Sequence, residues 1–209
     1  MHTPLDKAAF QLFEYDEIDS TNNEAKRLIG AARSVSSLYG RAVVTARRQS
    51  AGRGRNGKSF ASPGGESIYA SFILAPPENP AEQRLTMVAA VAVCEAIEAC
   101  TSYKPGIKWV NDIIVDTKKV CGILSELIPG AVVVGIGINI NIKNEDFPEE
   151  LNGTAGSLVM ESNARKKLFE KLVETVFRLM KRRETEESAI LEAYLARLIG
   201  PVCKDSFPL

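Results

Sequence analysis

Histidine is almost missing from the 209-residue sequence, because the only copy is His2. A Ser-His-Asp or Cys-His catalytic site, an H-E-x-x-H zinc protease and a zinc deaminase all need histidines that this chain lacks. Those enzyme classes are excluded. Any chemistry on this chain must therefore use other side chains.

Paired cysteines and long apolar runs are missing too. The four cysteines form no C-x-x-C pair, and their spacing suits neither a zinc site nor a disulfide framework, so we predict reduced, mostly buried thiols. No apolar run approaches the ~18 residues expected of a membrane-spanning helix. The first residues lack the charged and apolar regions of a signal peptide. These absences predict a cytoplasmic protein with no membrane partner.

A net charge is also lacking, since 26 basic residues balance 26 acidic ones. The length suits one sizeable domain, and an apolar content of 45% is enough to bury a real core.

Apolar periodicity and helix-start signals predict the order of the elements. The predicted strands are Phe10–Ile18, Val43–Ala46, Ser67–Ala75, Asp112–Val115, Val120–Leu127 and Ala131–Ile142. The predicted helices run from a capping box of Thr21 and Glu24 to about Arg33, from Asn79 and Pro80 to about Cys100, over Asn163–Lys181 and over Ala189–Leu198. Because strands cluster in hairpins and helices come in separate blocks, we expect an α+β fold with a mainly antiparallel sheet flanked by helices.

A glycine-rich basic segment, Arg47–Lys58, follows the second predicted strand and contains five cations, three glycines and no acid. Glycine lets the backbone approach a ligand closely, and arginine matches phosphate or carboxylate oxygens in pairs. The spacing fits neither a P-loop nor a G-x-G-x-x-G turn. A solvated basic loop and an RGG-like RNA-binding segment are alternatives from these residues alone, although aromatics for stacking are missing.

Three further segments carry polar groups. Lys108–Asp112 and Lys118-Lys119 flank the predicted hairpin, where a carboxylate beside cations and an amide could bind a metal or act as a base; Trp109 is expected to pack in the core. Gly135–Asn141 alternates glycine and asparagine on one face, which favours close approach of a flat ligand, with a bulged edge strand as the alternative. Ser20–Asn23 is also consistent with a simple helix cap.

Taken in order, these segments resemble the catalytic domain of biotin protein ligases, whose fold is like that of class II aminoacyl-tRNA synthetases. The matching pieces are Ser20–Asn23, Gln49–Gly57, Ser62-Pro63, Lys108–Asp112, Lys119–Leu124, Gly135–Asn141 and Ala155–Leu158. The resemblance covers roughly residues 10 to 200. It implies that biotin and Mg-ATP form biotinyl-5′-AMP and pyrophosphate. Biotin then passes to a lysine of a biotin carboxyl carrier protein, of the acetyl-CoA or pyruvate carboxylase type.

The resemblance also implies roles for residues. Lys119 would contact the biotin carboxylate and the α-phosphate, Arg53 and Arg55 would hold the adenylate, and Asp112 would take the proton of the acceptor lysine. Further substrate contacts are implied for Ser20, Thr21, Asn22, Gln49, Gly52, Gly54, Lys108, Asn111, Gly122 and Asn139. Mg²⁺ is expected on the phosphates, and no metal-binding side chain is assigned.

The chain departs from the family pattern at several places. Val110 stands where proline is usual, and Asn56 and Phe60 replace the commoner arginine and tryptophan, which is expected to alter adenylate retention. No winged-helix domain precedes residue 10, so we expect neither repression nor a DNA partner. We expect a catalytic domain over 1–200 and a short tail over 201–209, where many relatives continue into a small β-barrel. Relatives occur as monomers and homodimers.

Two alternatives stay open. A lipoate ligase or lipoyl/octanoyl transferase has the same fold but usually carries an R-R-x-x-G-G-G loop, whereas Arg47-Arg48 is followed here by Gln-Ser-Ala-Gly-Arg-Gly-Arg. A non-enzymatic module that binds biotin or RNA through the basic segment is the other.

Overall fold

The computed structural model describes residues 10–77, 82–161 and 163–200. The strands are β1 Gln11–Ile18, β2 Ala42–Gln49, β3 Ile68–Leu74, β4 Gly106–Lys108, β5 Asp112–Val115, β6 Lys118–Ile128, β7 Ala131–Ile138 and β8 Leu198–Ile199. The α-helices are α1 Thr21–Ala31, α2 Glu82–Cys100, α3 Ala164–Arg182 and α4 Glu187–Leu195.

All eight strands form one sheet in the order β1-β2-β3-β7-β6-β5-β4-β8. Neighbouring strands are antiparallel except for the two outermost pairs, β1 with β2 and β4 with β8, which are parallel. The expected α+β fold with a mainly antiparallel sheet is confirmed.

The two faces of the sheet are covered differently, because side chains alternate along each strand. Val43 and Phe72 point into the main core with α2, α3 and α4, whereas Val44 and Ile73 point into a smaller core with α1. Helix α1 packs mainly on β2, β3 and β7. The rest of this face of the sheet, over β6 and β7, is therefore left for the cavities described below.

The two long helices agree with their predicted patterns. Every apolar residue of the predicted α3 stripe is buried, namely Leu168, Leu172, Val173, Val176, Leu179 and Met180. Helix α2 packs in the main core and ends at Cys100, as expected. Its predicted start at Asn79 and Pro80 lies outside the described residues. Trp109 packs edge-on against Tyr194, which confirms the core prediction.

The predicted hairpin is confirmed with a slightly tighter turn. Asp116 and Thr117 both have positive φ, at 48° and 68°, as the right-handed twist of a two-residue hairpin turn requires. Lys118, which lies outside both predicted strands, is the first residue of β6.

The predicted capping box on α1 is wrong. Ser20 is the N-cap and makes no side-chain cap bond, while the Thr21 hydroxyl contacts Gln49 instead. The Glu24 carboxylate accepts hydrogen bonds from Tyr15 and Arg27. Tyr15 on β1 and Arg27 in the next helical turn therefore bind the carboxylate that the local cap would have used.

Three predicted boundaries are also wrong, because sheet pairing overrides local pattern. Strand β2 continues to Gln49 by pairing with β1, so Arg47 and Arg48 belong to the strand rather than to a loop. Strand β7 ends at Ile138 instead of Ile142. The last helix stops at Leu195, since the residues at 198 and 199 pair with β4, a strand too short to be read from periodicity.

The cysteines are free, as expected: Cys94 and Cys121 are buried, Cys100 is half-buried, and Cys203 lies outside the described residues. Burial raises the pKa of the Cys94 thiol to about 12. No helix within the described ranges combines the length and apolarity needed to cross a membrane.

Replacing Leu172 by alanine is expected to lower the free energy of unfolding by about 2–5 kcal/mol, because its fully buried side chain joins α3 to the main core. Urea unfolding measures the loss. Lys167→Ala on the exposed side of the same helix is the control and should change it by less than about 0.5 kcal/mol. Similar values for both variants would contradict this packing.

Candidate active site

Two adjoining cavities lie on the α1 side of the sheet. The first has a volume of about 370 Å³ and the second about 560 Å³. Both are lined by Ser59, Phe60, Asp112, Lys119 and Leu151, so these residues mark the junction.

The structure brings almost all the predicted site residues to these cavities. The first is lined by Ser20, Thr21, Asn22, Gln49, Arg53, Gly54, Arg55, Asn111, Asp112, Lys119 and Gly122. Lys108 and Asn139 line the second. Gly52 lines neither: a Cβ there would lie 2.3 Å from the Phe60 carbonyl oxygen, so this glycine lets the loop close on itself.

Glycines form a flat floor between the cavities. Gly122 and Gly137 are paired across β6 and β7, and the Phe60 ring rests on both, since their Cβ atoms would lie 2.8 and 2.5 Å from it. The predicted close approach to Gly135–Asn141 is therefore made by a flat aromatic ring of the chain itself. Asn141 does not take part: its φ is 51° and its amide donates to the Met160 carbonyl.

Hydroxyl and amide groups crowd one end of the first cavity. The Thr21 N–H donates to Gln49 Oε1 at 2.8 Å, and Gln49 Nε2 donates to Ser62 Oγ at 2.9 Å. Ser20 makes no side-chain cap bond and lines the same cavity. These groups thus form a polar edge at one end of the first cavity.

The glycine-rich segment folds into a closed loop over the first cavity. Arg53 pairs with Ser59 in a short antiparallel bridge, and the Gly54 N–H donates to the Lys58 carbonyl at 2.7 Å. Asn56 and Gly57 form the tip with φ of 55° and 73°, which asparagine tolerates better than most residues. The replacement of the family arginine at 56 is therefore compatible with this turn.

Three cations near the junction are each held by a polar partner. Lys119 Nζ lies 2.7 Å from Asp112 Oδ1, and Arg55 donates to Asn111 Oδ1 at 3.3 Å. Arg53 Nη1 lies 3.1 Å from Glu126 Oε1. Lys119 and Asp112 thus face both cavities, whereas the two arginines line only the first.

The segment at 154–156 holds the junction in place. It exchanges backbone hydrogen bonds with Lys119, whose N–H donates to the Thr154 carbonyl and whose carbonyl accepts from Gly156, both at 2.8 Å. The Asn139 amide Nδ2 donates to the Gly156 carbonyl at 3.0 Å, and no described group donates to its buried Oδ1. That acceptor is therefore oriented, and it belongs to a residue that lines the second cavity.

Sequence reasoning missed three residues of the site. Phe60 divides the cavities. The sequence marked it only as a position where the family usually has tryptophan. Ser71 is buried on β3 behind Thr21, and Glu126 lies two residues beyond the matched piece that ends at Leu124. Burial favours a raised pKa for the Glu126 carboxyl, but hydrogen bonds from Lys26 and Asn22 outweigh it and hold that pKa below its ordinary value.

Curated proteins with similar sequences carry biotin ligase names. A "Bifunctional ligase/repressor BirA" from Bacillus spizizenii is 39% identical over 158 residues, which are 72% of this chain and 47% of that protein. A "Biotin--[acetyl-CoA-carboxylase] ligase" from Paracoccus denitrificans is 38% identical over 59% of this chain and 51% of that protein. The chain thus spans about half the length of these curated relatives.

A solved structure with a similar fold is the biotin protein ligase from Aquifex aeolicus in complex with biotin and ATP. It has a TM-score of 0.76 and 30% identity, over 90% of this chain and 78% of that one. The model of the biotin/lipoate A/B protein ligase family matches residues 16–143. Since that match covers more than half of the sequence, the chain belongs to the biotin/lipoate A/B protein ligase family.

Proposed function

We propose that this chain is an ATP-dependent biotin protein ligase, which forms biotinyl-5′-AMP and then transfers biotin to a lysine of a biotin carboxyl carrier protein. The observation that carries the proposal is the Lys119–Asp112 ion pair at the junction of two cavities. One cavity suits a flat acyl compound and the other suits a nucleotide. The names of the relatives and the biotin and ATP bound in the Aquifex ligase support the same activity.

The first cavity has the chemistry that biotin requires. Its bicycle is apolar with one polar ureido edge, and such a ligand needs apolar walls and a few placed hydrogen bonds. Gly122 and Phe60 offer the flat wall, and Ser20, Thr21 and Gln49 offer the polar edge. The valeryl carboxylate then extends toward Lys119.

In the first step the biotin carboxylate attacks the α-phosphorus of Mg-ATP, and pyrophosphate leaves. Two negative charges about 4 Å apart repel by about 4 kcal/mol at an effective dielectric near 20. Lys119, Arg53 and Arg55 line the first cavity, and Lys119 also lines the second, so fixed positive charge offsets this repulsion. The Mg²⁺ ion enters with the triphosphate as part of the substrate.

In the second step the acceptor lysine attacks the adenylate carbonyl and AMP leaves. That amine has an ordinary pKa of about 10.4, so it must lose a proton before it can attack. When Lys119 engages the adenylate, the Asp112 carboxylate is free to take the proton. Positioning of the amine by the carrier protein must contribute as well, since a carboxylate is a weak base.

The nucleotide base is assigned to the second cavity through Asn139. Because Nδ2 is held by the Gly156 carbonyl, Oδ1 is left as a buried acceptor, unpaired among the described residues, that the nucleotide base would have to uncover. The exocyclic amino group of adenine is a donor that matches it, whereas the carbonyl oxygen of guanine is a second acceptor. This arrangement favours ATP over GTP.

The proposal includes the setting of the reaction. The acceptor is a carboxyl carrier of the acetyl-CoA or pyruvate carboxylase type, and the enzyme works in the cytoplasm as a monomer or homodimer without binding DNA. Lipoate is the less suitable acid, because its dithiolane ring has no hydrogen-bond donor for the polar edge beside Thr21, and unpaired buried polar groups cost about 1–3 kcal/mol each.

Incubation with Mg-ATP and biotin is expected to release pyrophosphate. Lipoate at the same concentration should release it at least about tenfold more slowly, since it leaves the polar edge unpaired. A coupled pyrophosphate assay measures both rates. Release with lipoate but not with biotin would refute the proposed substrate.

Lys119→Ala is expected to lower the rate of biotin-dependent pyrophosphate release by about 10²–10³-fold, because it removes charge preorganised for the transition state. Lys118→Ala is the matched control, since the neighbouring side chain lines neither of the two cavities. Its rate should stay within about twofold of the unsubstituted protein. Equal losses for the two variants would show that Lys119 has no special role.

Asn139→Ala is expected to raise KM for ATP by about tenfold and to reduce the preference for ATP over GTP, because it removes the oriented acceptor. Initial rates at varied nucleotide concentration and saturating biotin give both quantities. The KM for biotin, which binds in the other cavity, should stay unchanged. An unaltered ATP-to-GTP ratio would argue against the assignment of this residue to the base.

A further inference from the structure

Glu126 connects both sides of the first cavity without lining it. Its carboxylate lies 2.6 Å from Lys26 Nζ on α1, accepts a 2.8 Å hydrogen bond from Asn22 Nδ2 and lies 3.1 Å from Arg53 Nη1 on the basic loop. Only 17% of the side chain is exposed. One half-buried carboxylate therefore contacts both the start of α1 and the loop.

The Asn22 amide can adopt only one orientation in these surroundings. Its NH₂ group faces the Glu126 carboxylate, which only accepts, so Oδ1 must face Ser71 Oγ at 2.6 Å. Gly135 makes room for this arrangement, because a Cβ there would lie 2.1 Å from Asn22 Oδ1. Asn22 is buried and satisfied within the protein, so it supports the cavity wall rather than presenting free groups to a ligand.

The orientation of Asn22 determines the protons of the next two hydroxyls. A hydroxyl has one proton, and the Ser71 proton must go to Asn22 Oδ1, which cannot donate. The 2.8 Å contact between Ser71 Oγ and Thr21 Oγ1 then needs the proton of Thr21. The only other described partner of that hydroxyl is Gln49 Oε1 at 3.1 Å, which is also an acceptor. In either case Thr21 offers only lone pairs to the cavity.

We infer that Glu126 and Ser71 are positioning residues which, through Asn22, fix the Thr21 hydroxyl as a hydrogen-bond acceptor for an N–H group of the acyl substrate. The inference rests on the proposed function and deepens it, because it names the device that selects a ureido ring. With the carboxylate removed, only the 3.4 Å contact between Asn22 Nδ2 and the Leu124 carbonyl, among the described groups, still favours this orientation, so the amide can turn over. Ser71 would then donate to Thr21 Oγ1 and occupy a lone pair that the same N–H needs, while the Thr21 proton stays on Gln49 Oε1.

The test is equilibrium binding of biotin to the whole chain by calorimetry without nucleotide. Glu126→Gln is expected to weaken binding by about tenfold, the effect of one well-made hydrogen bond, and adding Ser71→Ala, which removes the competing donor, should recover most of that affinity. Each substitution is then repeated in a Thr21→Val background. If both residues act through the Thr21 hydroxyl, each should change affinity there by less than about twofold.

Matched controls separate this from a general loss of stability. Ser125→Ala removes another buried, hydrogen-bonded serine, and Glu98→Gln alters another half-buried glutamate that is ion-paired to an arginine. Both should bind biotin as the unsubstituted protein does. If Ser71→Ala fails to fold, Glu126→Gln carries the test alone.

The outcomes are distinct. Unchanged biotin affinity in Glu126→Gln, a loss that Ser71→Ala does not relieve, or a full tenfold loss that persists in the Thr21→Val background would overturn the inference while the proposed function stands. An unsubstituted protein that neither binds biotin nor releases pyrophosphate with it would overturn the proposed function, and the inference with it.

Discussion

The close approach of other groups to a bare stretch of β-sheet is the constraint on which the rest of the site depends. Gly122, Gly135 and Gly137 leave the α1 side of β6 and β7 without side chains. The Asn22 amide and the Phe60 ring occupy the space so created, at distances that a methyl group would forbid. The opposite face of the same strands carries branched apolar residues that pack on α2 and α3. A rigid, well-packed sheet can therefore let an amide and an aromatic ring of the chain itself lie against its backbone without losing its core.

Lysine and arginine side chains in fixed positions have the role here that histidine has in many transferases. Lys119 is aligned by the backbone of residues 154–156 and paired with Asp112, and Arg55 is held by Asn111. Side chains restrained in this way lose little further freedom when an anion arrives, so their attraction is realised at small reorganisation cost. The near absence of histidine in the sequence thus corresponds to a site in which fixed cations, rather than a titrating ring, would meet the two anionic substrates of the proposed reaction.

Features that depend on local pattern could be predicted from the sequence, and those that depend on distant partners could not. The α3 stripe and the β5–β6 turn follow from periodicity and short-range geometry, and the cavity-lining roles of Arg53 and Lys119 follow from motif order. The Thr21–Glu24 capping box failed because Gln49, 28 residues away, bonds Thr21. Strand β4 could not be predicted because three residues are too few to show an alternating pattern.

The same reasoning explains why Glu126 carries no signal in the sequence yet matters to both halves of the site. It lies 104 residues from Asn22 and 73 from Arg53, so no spacing rule connects them. In the fold, partial burial makes an unpaired carboxylate costly, and three donors offset that cost together. A change that withdraws Arg53 or Asn22 leaves the carboxylate short of a partner. The conformation of the glycine-rich segment and the polarity of the first cavity are therefore coupled, because Arg53 and Asn22 both contact the half-buried Glu126 carboxylate.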